Sequence, residues 1–258
     1  MAITDKEKGV WGLDQVYNKI NQGSIWEYTG TTELFTWGSN EHGNLGHNQG
    51  PAQVDAISSP VQVPGNGWKY IKSNAYNQRA YAIKTDGTFW VWGNGWGGNL
   101  GIVGISHAIK LSSPTQIPGT WDTSAIDTFG SSGQCNSAIK ADKTLWSWGY
   151  NTNGTMGTGN NSSKSSPTQV PGSWESVCSN NYWALGIKTG GTLWCWGKNS
   201  SGVWGNNQAH NTTSNSPKQV GSDATWYSVK GSLKNSVMAV KTDGTLWMWG
   251  KNNVGSLG

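Results

Sequence analysis

Charge is scarce in this 258-residue chain: Asp, Glu, Lys and Arg make up 12% of it, and the formal net charge is +4. The Lys and Arg residues are scattered without a run of five, so no basic tail for nucleic acid and no polybasic membrane patch is present. No apolar stretch approaches the roughly 20 residues that cross a bilayer, so no membrane insertion is expected. The opening MAITDKEKGVW has no apolar signal core, which gives the expectation of assembly in a cytoplasm. Cysteine is rare too. Cys135, Cys178 and Cys195 are odd in number and widely spaced, so they form neither a disulfide framework nor a CxxC metal pair and are expected to be free and buried. His42, His47, His107 and His210 form no metal-binding motif. Leu, Ile, Val and Phe are few enough to border on a disordered composition.

Tryptophan and glycine are abundant, at 18 and 37 residues. Disordered chains are poor in aromatics and rich in net charge. Here each Trp can bury about 150–250 Å² and take the place of the missing aliphatics.

The abundance is periodic. LFTWG (34–38), FWVWG (89–93), LWSWG (145–149), LWCWG (193–197) and LWMWG (246–250) recur about every 50 residues. Each closing glycine opens a nine-residue phrase: GSNEHGNLG, GNGWGGNLG, GYNTNGTMG, GKNSSGVWG and GKNNVGSLG. Glycine holds places one, six and nine in all five: Gly38, Gly43 and Gly46; Gly93, Gly98 and Gly101; Gly149, Gly154 and Gly157; Gly197, Gly202 and Gly205; Gly250, Gly255 and Gly258. These are expected to be structural turn glycines with backbone angles that a side chain disfavours. Asn is third in four phrases, where it can hydrogen-bond to its own turn.

Three further segments complete the unit. SSPVQVPG, SSPTQIPG, SSPTQVPG and NSPKQVG read as edge strands, where Pro is tolerated. Trp68, Trp121, Trp174 and Trp226 open the next unit. The A-I-K run then reaches W-x-W-G through KTDGT, KADKT or KTGGT, a hairpin signal that for Asp-Gly fits a type I′ turn. Four short strands in about 50 residues, repeated, describe a β-propeller blade.

The phrase L-x-x-W-G-x-N-x-x-G-x-L-G, the A-I-K-T-D-G turn and the later S-P-x-x-V resemble the regulator of chromosome condensation repeat family of β-propellers. The resemblance covers about residues 24–258 and implies an all-β propeller of about five four-stranded blades, fewer than the seven usual in that family. SIWEYTGTTELFTWG (24–38) reads as the first hairpin, and the first and last blades are expected to meet, with a shorter propeller unpaired at one end, or one completed by another chain, as the alternatives. The namesake's nucleotide exchange and chromatin docking are not implied, since no basic tail or distinctive insertion is present.

No catalytic motif, cofactor site or metal site is expected. Asp122 and Asp127 are the carboxylates considered for glycoside hydrolysis, which needs a cleft between a paired acid and base. Binding is the better expectation. Trp96, Tyr150 and Trp204 stand in the glycine phrases where other repeats have small or polar residues, and are candidates for surface binding of a glycan or protein.

Residues 1–23 stand outside the repeat. Leu13, Val16, Tyr17 and Ile20 fall on one face of a short helix, and with Val10 and Trp11 they form a candidate partner-binding arm. GVWGLDQVYNKINQGSIW is similar to short segments near the ends of structural proteins of marine bacterial viruses. That resemblance implies a non-enzymatic virion component of a tail, fibre or capsid decoration. Its arm would join other virion proteins or copies of itself, and its propeller would meet a host-surface glycan or protein. A cytosolic interaction scaffold and a propeller glycan hydrolase are the alternatives.

Overall fold

The structure is a computed structural model that describes residues 32–257 apart from 75–77, 103–108, 124–128, 131–134, 181, 233–234, 254 and 256. The arm residues Val10, Trp11, Leu13, Val16, Tyr17 and Ile20, and the first strand expected from Ser24, lie outside the described residues. Alternating side chains and frequent Gly-containing turns leave the chain one economical solution, the antiparallel meander. Every strand pair is antiparallel.

The first blade contributes β1 (Phe35–Ser39) and β2 (Ala56–Gln62). The second has β3 (Trp68–Asn74), β4 (Arg79–Lys84), β5 (Phe89–Asn94) and β6 (Lys110–Ile117), in that order across the sheet. The third has β7 (Phe129–Gly130), β8 (Cys135–Ile139), β9 (Thr144–Gly149) and the first half of β10 (Lys164–Ser179). The second half of β10 belongs to the fourth blade, where it pairs with β11 (Trp183–Lys188), followed by β12 (Leu193–Lys198) and β13 (Thr213–Gln219). The fifth blade is three-stranded: β14 (Trp226–Gly231), β15 (Ser236–Lys241) and β16 (Leu246–Gly250). This is the all-β propeller architecture expected from the repeat. The S-P segment is the outer strand of its blade, and in β10 it runs on into the opening Trp of the next.

The core lies between blades. Phe89 packs with Trp121, Ala138 and Trp148 of the third blade, Leu145 with Trp174, Ala184 and Trp196 of the fourth, and Leu193 with Val229, Val237 and Ala239 of the fifth. In each W-x-W the second Trp sits at the junction, buried at Trp92, Trp148 and Trp196 and half-buried at Trp249, and its indole N–H donates backward to the glycine phrase of the preceding blade. Trp92 donates to the Asn44 carbonyl at 2.9 Å, Trp148 to Asn99 at 3.1 Å, Trp196 to Thr155 at 2.7 Å and Trp249 to Val203 at 2.8 Å. The first Trp faces the blade edge, where the A-I-K lysine lies between it and the opening Trp. Lys188 Nζ stands 5.2 Å from the Trp174 ring and 3.5 Å from Trp194, and Lys84, Lys140 and Lys241 repeat the arrangement.

Two expectations are corrected. The KTDGT hairpin is not a type I′ turn, because that turn needs positive φ at both central residues and here only Gly87 has it, at 80°. Lys84 N–H bonds the Thr88 carbonyl and Gly87 N–H bonds the Lys84 carbonyl, the pattern of a three-residue loop ending in a left-handed residue. Asp86 supports that loop by accepting from the Thr88 N–H at 2.9 Å and hydroxyl at 2.6 Å. The two ends of the series do not meet among the described residues. No strand pairing joins the first sheet to the last, and Trp37 on the first and Leu246 on the last are each 60% exposed. The first sheet has only two described strands, and among the described residues the apolar faces at both ends are left uncovered.

Candidate binding surface

The nine-residue phrases join blade to blade and also form the loops on one rim. Every described glycine at places one, six and nine has positive φ. At place nine there is a second reason for glycine. A Cβ on Gly46, Gly101, Gly157 or Gly205 would stand 2.7–2.9 Å from the indole nitrogen arriving from the next blade. Glycine there makes room for the Trp that locks the junction.

The phrase has an inside and an outside. Place eight holds Leu45, Leu100, Met156 and Trp204, all buried. Trp204 is therefore not a surface residue: it is 0% exposed and packs in the core with Leu193, Val203 and Val237. The apolar residue at place eight of every phrase is the signal that sequence reading missed. Place four points outward, and there Trp96 is 53% exposed. Place two, at the start of the third phrase, carries half-buried Tyr150.

The structure brings these last two together. The Trp96 and Tyr150 rings stack with centroids 6.4 Å apart and planes 29° from parallel. A sharp turn holds Trp96. Its N–H donates to Asn94 Oδ1 at 3.0 Å, Gly97 follows with φ 72°, and buried Asn99 donates to the Trp96 carbonyl. Asn99 is itself anchored to the third blade, its carbonyl accepting from Asn136 and Trp148. Beside this turn a shallow depression is lined by Gly95, Gly98, Leu100, Gly101, Ile102, Ile109 and Ser165. The result is a two-ring aromatic step across the second and third blades, rigid on one side and next to small residues.

Asp122 is buried and bonded at 3.0 Å to Lys143, which also holds Glu175 at 3.0 Å. These contacts raise the Lys143 pKa. Asp127 and His107 lie outside the described residues. His47 Nε2 faces the Thr36 hydroxyl at 2.8 Å and the Val61 carbonyl at 3.1 Å. Burial and nearby Lys110 lower the His42 pKa, outweighing Glu41. Cys135, Cys178 and Cys195 are free and buried, and burial pushes each thiol up to about 12. Such thiols are not nucleophiles at neutral pH. Among the described residues no group of three or more His, Cys, Asp or Glu side chains is placed to hold a metal.

The family model described as "Regulator of chromosome condensation (RCC1) repeat" matches residues 33–73 and 142–188. These two segments, about a third of the chain, are similar to that repeat. The first segment spans β1, β2 and β3, and the second runs from the KADKT turn to the end of β11. Among curated proteins, human E3 ubiquitin-protein ligase HERC2 is 28% identical over 141 residues, 52% of this chain and 3% of that protein. The Arabidopsis thaliana ultraviolet-B receptor UVR8 is 27% identical over 142 residues, 52% of this chain and 29% of the receptor. Among solved structures, human WBSCR16 aligns with a TM-score of 0.70 at 19% identity, covering 87% of this chain and 58% of that one. Saccharomyces cerevisiae Prp20p aligns with a TM-score of 0.59 at 18% identity, covering 75% and 47%. That yeast propeller is described by its binding to Gsp1p and histones. The chain thus spans well under two thirds of the length of the relatives it matches, and the structural likeness at this identity is one of fold.

Proposed function

We propose that this chain is a non-enzymatic interaction module whose contact surface is the Trp96–Tyr150 step. The observation that carries the proposal is the fate of the repeat tryptophans. Most are buried in junctions or sandwiched with lysine at a blade edge, whereas Trp96 stands at place four of its phrase, where the other phrases carry Glu, Thr, Ser or Asn. It stands exposed on an ordered turn and stacks on a second aromatic from the next blade. Exposed rigid aromatics offer large contact area at small entropic cost, and suit either a sugar face or a protein anchor. Relatives with this fold that bind proteins support the general reading.

The finer reading places the module in a bacterial virus particle, with residues 1–23 joining virion proteins and the aromatic step meeting a host-surface glycan or protein. It rests on the sequence of the arm. Trp96→Ala should abolish binding on a glycan array or to host-cell surface protein while leaving the thermal midpoint unchanged. Equal binding by the variant would remove the step from the reading, and turnover of a polysaccharide by the wild-type chain would overturn the non-enzymatic part. Removal of residues 1–23 should prevent incorporation into particles, and normal incorporation would sink the virion assignment.

A further inference from the structure

Each blade junction is asymmetric. The earlier blade supplies a leading face, built on the residue that starts its L-x-x-W-G strand, and a phrase carbonyl. The later blade supplies a trailing face, built on the second Trp of its own W-x-W. Leu34, Phe89, Leu145 and Leu193 hold the leading place and are 0–7% exposed, each covered by the following blade. Leu246 holds the same place in the fifth blade and is 60% exposed. Met238 beside it is 43% exposed, whereas its counterparts Tyr81, Ser137 and Leu185 are 0–1% exposed. On the trailing side Trp92, Trp148 and Trp196 are 0–1% exposed, while Trp37, which holds that place in the first blade, is 60% exposed. Among the described residues, one copy of each half of a contact made four times between blades is therefore left exposed.

We infer that copies of this chain join head to tail, the fifth-blade face at Met238 and Leu246 of one copy receiving Trp37 of the next. A second copy is the occupant these observations favour, because the two open faces are the two sides of one established interface and each copy carries both. The contact is heterologous, so it closes into a ring or continues as a filament according to the rotation between copies. It uses neither the Trp96–Tyr150 step nor the arm, and stands or falls apart from the function proposed above.

The test is sedimentation velocity of the 258-residue chain over a wide concentration range, with Trp37→Asp and Leu246→Asp. Both substitutions fall on exposed side chains, so each variant should keep a wild-type thermal midpoint. Wild-type protein should associate with rising concentration, and each variant alone should be monomeric. An equimolar mixture of the two should give a single species of twice the monomer mass and nothing larger, since only one intact pair of faces remains between them. That product would also show that both variants are folded. Wild-type protein that stays monomeric throughout would overturn the inference. So would association that survives either substitution alone, which belongs to the arm or another surface, or a mixture that remains monomeric.

Discussion

At the scale of single residues, the Asn at place three shows how a loop phrase acquires a fixed shape. Asn151 is fully buried, accepts from the Met156 N–H at 2.8 Å, and donates to the Asn160 and Ser162 carbonyls at 2.9 and 3.2 Å. Asn40 and Asn199 do the same in their blades. Asn151→Ala would orphan three backbone groups and should cost at least about 2 kcal/mol, seen as a lower denaturant midpoint. Asn151→Asp should not rescue it, because a carboxylate keeps the acceptor but loses both donors and brings a charge into the interior. The hairpin turns carry a second relay. Asp86, Asp142 and Asp243 each accept from the N–H and hydroxyl of the following Thr, and that hydroxyl accepts from a Trp indole at 2.8–3.1 Å. These bonds lower all three Asp pKa values, and bonds from Lys241 and Thr225 lower Asp223 to about 2. A depressed folded-state pKa gives stability that is present above the unfolded value and is lost as pH falls through the folded one. The urea midpoint should therefore decline below about pH 4. The decline should be shallower in the Asp86→Asn, Asp142→Asn, Asp243→Asn triple variant, where the amide oxygen accepts without titrating.

At the scale of the element, strands and their order are legible in the sequence because the repeat presents the same alternation several times over. Phrases are legible only in part. Their glycines announce positive φ, but the close approach at place nine is invisible in any one repeat, since the colliding indole comes from 39 to 47 residues further on. The turn type was misread for a related reason: Asp-Gly fits a two-residue loop, and only the Asp86–Thr88 bonds show the longer one. Trp204 was misread because tryptophan is a conspicuous residue, whereas the shared apolar place of Leu45, Leu100 and Met156 decides its burial. The place-nine reading can be measured. Gly157→Ala adds a Cβ 2.8 Å from Trp196 Nε1 at φ 73°, whereas Gly244→Ala meets nothing within 4 Å at φ 84°. Both carry a left-handed penalty of roughly 1–2 kcal/mol. Only Gly157→Ala should add an overpacking cost of about 1–3 kcal/mol, so the difference between their denaturant midpoints isolates the junction.

At the scale of the described propeller, residues 33–258 form one compact unit whose blades touch mainly their neighbours in sequence. In such a series stability is a sum of blade terms and nearest-neighbour junction terms. The third and fourth blades have both faces covered, and their junction tryptophans Trp148, Trp174 and Trp196 are 0% exposed. Among the described residues the first and fifth have a neighbour on one side only, with Trp37, Leu246 and Trp247 half exposed or more. Junction burial, rather than strand pairing, then sets the order in which backbone amides open. Hydrogen exchange at low protein concentration should be slowest in β8, β9, β11 and β12, and fastest in β1–β2 and β14–β16, although β15 and β16 are as fully paired with each other as β11 and β12. Raising the concentration until copies associate should slow exchange in the two terminal blades and leave the middle unchanged. Equal protection in all blades at low concentration would mean that the open faces carry no energetic deficit, and the nearest-neighbour account of this propeller would fail.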